Sequence, residues 1–499
     1  MPKKESAPDL VLPPKEQGQV LFDWLYSAMR DAIIRGRFAA GTKLPSSRSL
    51  ASQYQISRGT VVSVYEQLIS EGYIESKVGN GTKVSTQLPD TIFLPSNLKA
   101  KNKVKKEKLP SKKLGKNARI YSETRLIPPT PVNARAFRTH LPALDLFPMD
   151  IWSRISGRRM RRLPKHLLGL GDSQGYLPLR KILADYLKTS RDVNCTSEEI
   201  IITSGVHQTL DIVSRVILDS GDAVWHEDPG FIGARNSFHA AQAKIYPIPV
   251  DENGMDINAG IKICARPKLI YTTPAHQFPI GCDLSLERRL ALIEFARKTG
   301  AWIFEDDYDS EFRYNGRPLP SLQGLDHYGS VLYASSFCKV LFLDIRIGYL
   351  VVPEEYVDIF VKAKSLSDRF TSTINQAVMC DFIEEGHFGR HLRKMRQVYK
   401  LRYEVLRDSI NNQLGDIATL ETANAGLQTI LWLPQKMNDI TIAKEARKQG
   451  LELLPVSPYY LGKNVKQGLI LGFSAVNEKQ IRQGVEKLAK LIKSFYVGH

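Results

Sequence analysis

Cysteine is scarce. Five occur in 499 residues, at Cys195, Cys264, Cys282, Cys338 and Cys380. Their number is odd and none has metal-ligand spacing, so neither a disulfide framework nor a metal site is expected. Free thiols in a reducing cytosol are expected instead. No run of about 18 apolar residues occurs, which argues against a membrane-spanning helix. The amino-terminal MPKKESAPDL lacks the apolar core of a signal peptide, so a cytoplasmic location is expected. Acidic residues are in deficit: 52 Asp and Glu face 69 Lys and Arg, a formal net charge of +17. That excess points to a polyanionic partner, either nucleic acid or a membrane surface.

The length implies two or more domains, and 43% hydrophobic residues are ample for a core. One stretch carries most of the chemistry. Ala301–Phe304 is an apolar run that stops at Glu305, Asp306 and Asp307, and Ser330–Ala334 is another that stops at Ser335, Ser336 and Lys339. Such runs read as buried strands of a parallel sheet. Ligands of such sheets sit at the carboxyl ends of the strands. Asp306, Tyr308, Ser336, Lys339 and Arg346 are therefore expected to converge on one crevice.

An acid, a phenol, a hydroxyl, a lysine and an arginine suit pyridoxal 5'-phosphate. Lys339 would form the Schiff base, and Asp306 would keep the ring nitrogen protonated. Tyr308 can hydrogen-bond the ring hydroxyl. Ser336 and Arg346 can hold the phosphate, the arginine bidentately. The stretch resembles the cofactor region of fold-type I aminotransferases. More closely, TPAHQFPIG, EDDYDSEFRY, GRPLPSLQGLD and SSFCK resemble the MocR-type transcriptional regulators. That resemblance implies a winged helix of the GntR type joined to an aminotransferase-like body.

Residues 1–17 read as a loose, polar terminus. From Val20 to Arg37, Leu21, Leu25, Ala28, Met29, Ala32 and Ile33 fall on one helical face. Ser46 or Ser47 can cap a short helix to about Tyr54, with Leu50 and Ala51 inward. After the turn at Gln55-Ile56, Ser57 caps a helix from Arg58 to about Ser70, with Val61, Val64, Tyr65 and Leu68 buried. This is a helix-turn-helix, whose second helix enters the major groove with Ser57, Arg58 and Thr60 near the bases. Tyr73–Glu75 and Lys83–Val84 can pair as a wing with Gly79 near its tip. The Leu-Pro-Ser-x-Arg, Ser-Arg-x-Thr-Val and Glu-Gly-Tyr pattern resembles the GntR family. By that resemblance Arg48, Arg58, Thr60 and Gly79 contact double-stranded DNA.

Residues 87–140 read as a linker. Lys99–Arg119 holds nine Lys, one Arg and one Glu, and little to bury, so disorder is expected. It is either a solvated spacer or a salt-sensitive DNA tether. Residues 120–140 are expected to run extended.

Residues 141–499 resemble the aminotransferase body: an α/β fold with a doubly wound, mostly parallel sheet, and a small α+β subdomain from about residue 355. Gly169, Gly171 and Gly175 are expected to turn sharply before a helix near Pro178. In IIITSGVHQTLDIVSRVIL a glycine turn opens a helix at Val206 and His207, a ready phosphate site. Phe231 stands where the family stacks an aromatic on the pyridine, or else is a core phenylalanine. His276 is a cofactor neighbour or a hydrogen-bonded structural histidine. Two departures stand out. Leu170 replaces a tyrosine that in the family reaches the partner subunit's cofactor phosphate. Ile470 stands near where working aminotransferases clamp the substrate carboxylate with arginine, and no arginine occurs from Val465 to Val476. The expectation is a regulator that senses pyridoxal phosphate, an amine or an amino acid, without efficient turnover. An active aminotransferase with an accessory DNA-binding domain, and a regulator that has lost the cofactor, are the other readings. A domain-exchanged homodimer is implied by the resemblance.

Overall fold

Helix α1 (Leu21–Ile34) buries Trp24, Leu25, Ala28, Met29, Ala32 and Ile33. Leu21 was expected inward but is 43% exposed. At the first helical position it lies beyond the core, and Trp24 fills that face instead. Ser46, not Ser47, caps α2 (Ser47–Tyr54), its hydroxyl accepting from the Ser49 amide at 3.2 Å. Gln55 turns the chain in the left-handed region at φ 53°. Ser57 then caps α3 (Arg58–Ser70), accepting from the Thr60 amide at 3.0 Å. The stripe Val61, Val64, Tyr65 and Leu68 is buried against α1 and α2. Strands β1 (Ile74–Lys77) and β2 (Gly81–Val84) form an antiparallel hairpin, with Ile74 opposite Val84.

These observations come from a computed structural model. It describes residues 11–15, 18–77, 81–86, 113–115, 117–123, 134–162, 164–314, 316 and 319–497. Gly79, Pro128, Pro129, Pro131 and most of the basic linker lie outside the described residues. The chain divides into two compact units, Met1–Lys112 and Lys113–His499. Residues Asn117–Glu123, expected to lack helix, form one. Ala118 and Ile120 favour it, and it packs beside the helix Ile232–Ala240.

The body is built on an eight-stranded sheet. In spatial order its strands are β3 (Ile200–Thr203), β10 (Gly348–Val351), β9 (Val331–Ser336), β8 (Trp302–Asp307), β7 (Leu269–Thr272), β4 (Ala223–Asp228), β5 (Lys244–Asp251) and β6 (Gly254–Met255). The run from β9 to β5 is parallel, and β10 is antiparallel to both its neighbours. Strand β3 therefore runs the same way as β9. Strands β3 and β7 are buried along their whole length, as a sheet covered on both faces requires. The carboxyl ends of β3, β9, β8, β7 and β4 lie on one edge, and so does the amino end of β10.

A second sheet carries the small subdomain. Strands β11 (Thr419–Leu420), β12 (Gln428–Trp432), β14 (Gly468–Gly472) and β13 (Leu454–Pro455) pair antiparallel in that order. The helices His387–Leu414 and Glu478–Val497 pack on one another beside it. Of the three expected glycine turns, only Gly175 has positive φ, at 110°. Gly169 is extended. A Cβ at Gly171 would lie 2.6–2.7 Å from Thr373 and Phe370, so that glycine serves close packing.

Candidate cofactor site and nucleic-acid interface

The strand ends bring most of the expected residues together. Asp306, the last residue but one of β8, lies opposite Ala334 of β9. It is 4% exposed, and Tyr271 of β7 donates its phenol to Oδ2 at 2.7 Å. The other oxygen, Oδ1, is buried without a hydrogen-bond partner among the described residues. Burial raises this carboxyl to about 7, with the nearby charges of Asp307, Glu227 and Asp309 adding to it against the Tyr271 hydrogen bond. A buried acid with one empty oxygen is costly unless a donor reaches it. Neighbouring Asp307 also has a buried Oδ1 without a hydrogen-bond partner among the described residues, but its charge is met at Oδ2, where Arg191 Nε lies 2.8 Å away and Tyr333 donates at 2.6 Å.

Lys339 follows β9 and is half-buried. Its ammonium donates to the carbonyl of His140 at 3.3 Å. Burial lowers the amine to about 8, opposed by Cys338, Asp309 and Asp306. His140 sits at φ 62°, with its ring 5.1 Å from Phe278. Burial and then the Lys339 charge hold its imidazole well below the usual histidine range.

At the other end of the crevice, Gly205 turns at φ 120° ahead of the helix Val206–Ile217. A Cβ built there would lie 3.8 Å from both Ser336 Oγ and Arg346 Nη1. Glycine thus leaves a cradle between a hydroxyl, a guanidinium and the first amides of a helix, whose N–H groups have no intrahelical acceptor. Arg346 is exposed, and Ser336 Oγ accepts from the Cys338 amide at 3.1 Å. His207 shares this end: burial, then the charges of Arg346 and Lys339, lower its pKa.

Phe231 is half-buried, its ring 5.8 Å from those of His207 and Phe278. His276 is buried, with Nδ1 3.0 Å from Asp309 Oδ1 and 3.0 Å from the Tyr308 hydroxyl. Burial pulls its pKa down, but the Asp309 carboxylate outweighs that and holds it above the usual value. Burial and the Asp309 and Asp306 charges push the Tyr308 phenol well up, so it stays protonated. Ile470 is fully buried among Phe278, Ile430 and Val456. Leu170 is 74% exposed.

Pyridoxal phosphate fits this set. The empty Asp306 oxygen suits a protonated ring nitrogen, the Gly205 cradle suits a phosphate, and the depressed Lys339 amine suits an aldehyde. Sequence reasoning missed Tyr271, His140, Phe278 and Asp309. Asp309 stands next to Tyr308, already singled out, but Tyr271 lies inside an apolar strand, and His140 is 199 residues from Lys339 and carries no local signal.

In the amino-terminal unit Arg48, Ser57 and Arg58 are exposed and Thr60 is half-buried. Ser57 and Thr60 bond one another at 2.8 Å, and Arg58 Nε reaches Ser47 Oγ at 3.5 Å. Lys43 bridges Lys83 of β2, placing two lysines at the wing's base that sequence reading did not select.

Fold and site define a winged helix followed by an aminotransferase-type body. Family models agree: "Bacterial regulatory proteins, gntR family" matches residues 23–84, and "Aminotransferase class I and II" matches residues 158–488. The probable rhizopine catabolism regulatory protein MocR of Rhizobium meliloti is 37% identical over 93% of this chain and 92% of its own. The pyridoxine biosynthesis transcriptional regulator PdxR of Corynebacterium glutamicum is 28% identical over 92% of this chain and 93% of its own. Among solved structures, the α-aminoadipate aminotransferase LysN of Thermus thermophilus, complexed with N-(5'-phosphopyridoxyl)-L-leucine, superposes with a TM-score of 0.68. It is 27% identical, covering 73% of this chain and 93% of its own. The chain belongs to the MocR-type transcriptional regulators, GntR-type DNA-binding proteins fused to an aminotransferase-like domain.

Proposed function

We propose that this regulator holds pyridoxal 5'-phosphate on Lys339 and changes its operator binding when the cofactor, or an amine presented to it, occupies the site. The observation that carries the reading is the empty, buried Oδ1 of Asp306 in the same crevice as the depressed Lys339 amine. When bound, the cofactor supplies an electrophilic carbon and an electron-withdrawing ring. Asp306 would hold the ring nitrogen's proton and Tyr308 the ring hydroxyl. Phe231 would lie against the ring and His276 would brace Tyr308. Ser336, Arg346 and the amides of Val206 and His207 would take the phosphate. The helix start at Ser57, Arg58 and Thr60, with Arg48 and Gly79, would contact the operator. A cytoplasmic homodimer with exchanged domains completes the reading.

Regulation without efficient turnover is favoured over an active aminotransferase because Ile470 is sealed in an apolar cluster. A substrate carboxylate left unclamped loses the orientation that fast proton transfer needs.

The test is an absorption titration of the full-length protein with pyridoxal phosphate, paired with anisotropy on duplexes selected from a random library. A near-visible band that appears in the wild type and not in Lys339→Ala is expected, together with altered DNA affinity. No band, or an equal band in both proteins, overturns the cofactor reading.

A further inference from the structure

The positive charge of the body is not spread evenly. Residues 113–499 hold 51 Lys and Arg against 42 Asp and Glu, an excess of nine. Two short stretches account for all of it. Residues 154–162 and 390–402 carry eleven Lys and Arg and no acid, so the rest of the body is slightly acidic. The first stretch closes the helix Met149–Arg161, and the second lies in the first half of the helix His387–Leu414. Exposed cations recur in both at helical spacing. Arg154 and Arg161 share a face of the first helix, with Arg162 just past its end. Arg393, Lys394 and Lys400 share a face of the second. Arg402 is buried and takes no part in that face.

The fold brings the two stretches together. Arg158 pairs with the carboxylates of Asp381 and Glu385, and Arg390 donates to the Glu385 carbonyl at 2.9 Å. The ring of Phe147, just before the first helix, lies 5.8 Å from that of His391 in the second. The acids of this corner are engaged by Arg158 and by Arg159, whose Nε lies 2.6 Å from Asp381 Oδ2. The outward cations are left facing solvent. Like charges three and four residues apart on a helix repel one another, and an anionic partner relieves that repulsion. Arg393 and Lys400 stand about 10 Å apart along the helix axis. A DNA duplex carries a negative charge about every 1.7 Å, so such a stripe meets several phosphates whatever the bases. The chain belongs to a family of DNA-binding regulators, which makes DNA the polyanion it meets. A second copy offering the same face would oppose like charges.

We infer that this face of the body, formed by the two basic stretches together, binds the phosphate backbone of double-stranded DNA without reading its sequence. It adds to the contacts of the amino-terminal unit and does not depend on the cofactor.

The experiment measures anisotropy of the full-length protein on a selected and a scrambled duplex as salt rises from about 50 to 200 mM. One variant combines Arg393→Ala, Lys394→Ala and Lys400→Ala. A second combines Arg161→Ala and Arg162→Ala. The control combines Lys262→Ala, Arg266→Ala and Lys268→Ala, which removes three exposed cations outside both stretches. In the first variant the slope of log affinity against log salt is expected to shrink by about 2–3, so the same rise in salt weakens the wild type about 15–60-fold more than the variant. The second is expected to shrink the slope by about 1–2, and the control to keep it. Both duplexes should lose affinity by the same factor, because phosphate contacts carry no sequence information. Wild-type slopes in both variants, a control that falls as far as the first variant, or a loss confined to the selected duplex would overturn the inference. So would a changed mass by light scattering, which would make this face a subunit contact. Should the first variant melt as an unfolded chain, the second decides.

Discussion

Asp306→Asn separates what the fold wants from what the site wants. The Asp306 carboxyl is held at about 7 from an ordinary 3.8, mainly by burial, and its side chain is 4% exposed. Below about pH 4 it is protonated in both folded and unfolded chains and costs nothing. Between about pH 4 and 7 the folded chain holds a proton that the unfolded chain has lost, so stability falls as pH rises. Above about pH 7 the full penalty applies, about 4 kcal/mol at about 1.36 kcal/mol per pH unit. Asparagine carries no charge and its oxygen can still accept from Tyr271. Its amide N–H would then meet the position of the empty Oδ1, and an unmet buried donor costs about 1–3 kcal/mol. The net gain for the cofactor-free protein at pH 8 is therefore about 1–3 kcal/mol, a few degrees in Tm for a unit of this size. Calorimetric melts of both proteins at pH 5 and pH 8, without cofactor, measure it. The variant should gain at pH 8 and gain less at pH 5. The same variant should retain pyridoxal phosphate poorly, because an amide cannot hold the ring nitrogen's charge. A Tm difference that ignores pH, or a variant less stable at pH 8, refutes the argument that this carboxylate is a buried cost awaiting a cation.

Three further outcomes follow from the same geometry. With the Lys339 amine near 8, about a tenth of molecules carry it neutral at pH 7. Cofactor capture followed by stopped-flow absorbance should rise about tenfold per pH unit below 8 and level off above 9, whereas an ordinary lysine would keep rising through pH 10. Gly205→Ala places a Cβ in a backbone region that suits glycine (φ 120°) and between Ser336 and Arg346, so cofactor affinity should fall at least about tenfold while the melt shows a folded protein. Arg58→Ala should cost about 1–3 kcal/mol of sequence-specific DNA binding and leave most salt-sensitive non-specific binding, measured by anisotropy at two salt concentrations.

The crevice was legible because its contributors sit at the ends of uninterrupted apolar runs. Trp302–Asp307 and Val331–Ser336 are strands of the body sheet, and each runs on through the two or three polar residues that follow its apolar run before it ends. The cap at Ser57 and the buried stripe of α3 were legible for the same reason, since a cap and a periodicity are local. Contacts across the fold were not. Tyr271 looks like any aromatic in a buried strand until Asp306 is placed beside it. Leu21 matched the helical period but falls at the end of α1, where period alone does not decide burial. The helix Asn117–Glu123 was hidden by the basic composition of the segment before it.

His140 is the residue that sequence reasoning assigned to a linker and the fold assigns to the site. Its carbonyl receives the Lys339 amine because the backbone turns at φ 62°. The turn is braced on both sides. Phe137, itself at φ 69°, pairs with Gly472 of the small sheet, and the Ser474 hydroxyl donates to the Leu141 carbonyl at 2.6 Å. A β-branched residue tolerates positive φ poorly, at about 1–3 kcal/mol, whereas glycine adopts it freely. His140→Val should therefore displace the carbonyl from Lys339, and His140→Gly should keep the carbonyl and remove only the ring. If the turn positions the lysine, the valine variant captures pyridoxal phosphate at least about tenfold more slowly, and the glycine variant keeps a rate near wild type. Equal capture by both variants would show that the Lys339 amine does not depend on this carbonyl, and that the left-handed turn serves the packing of the small sheet alone.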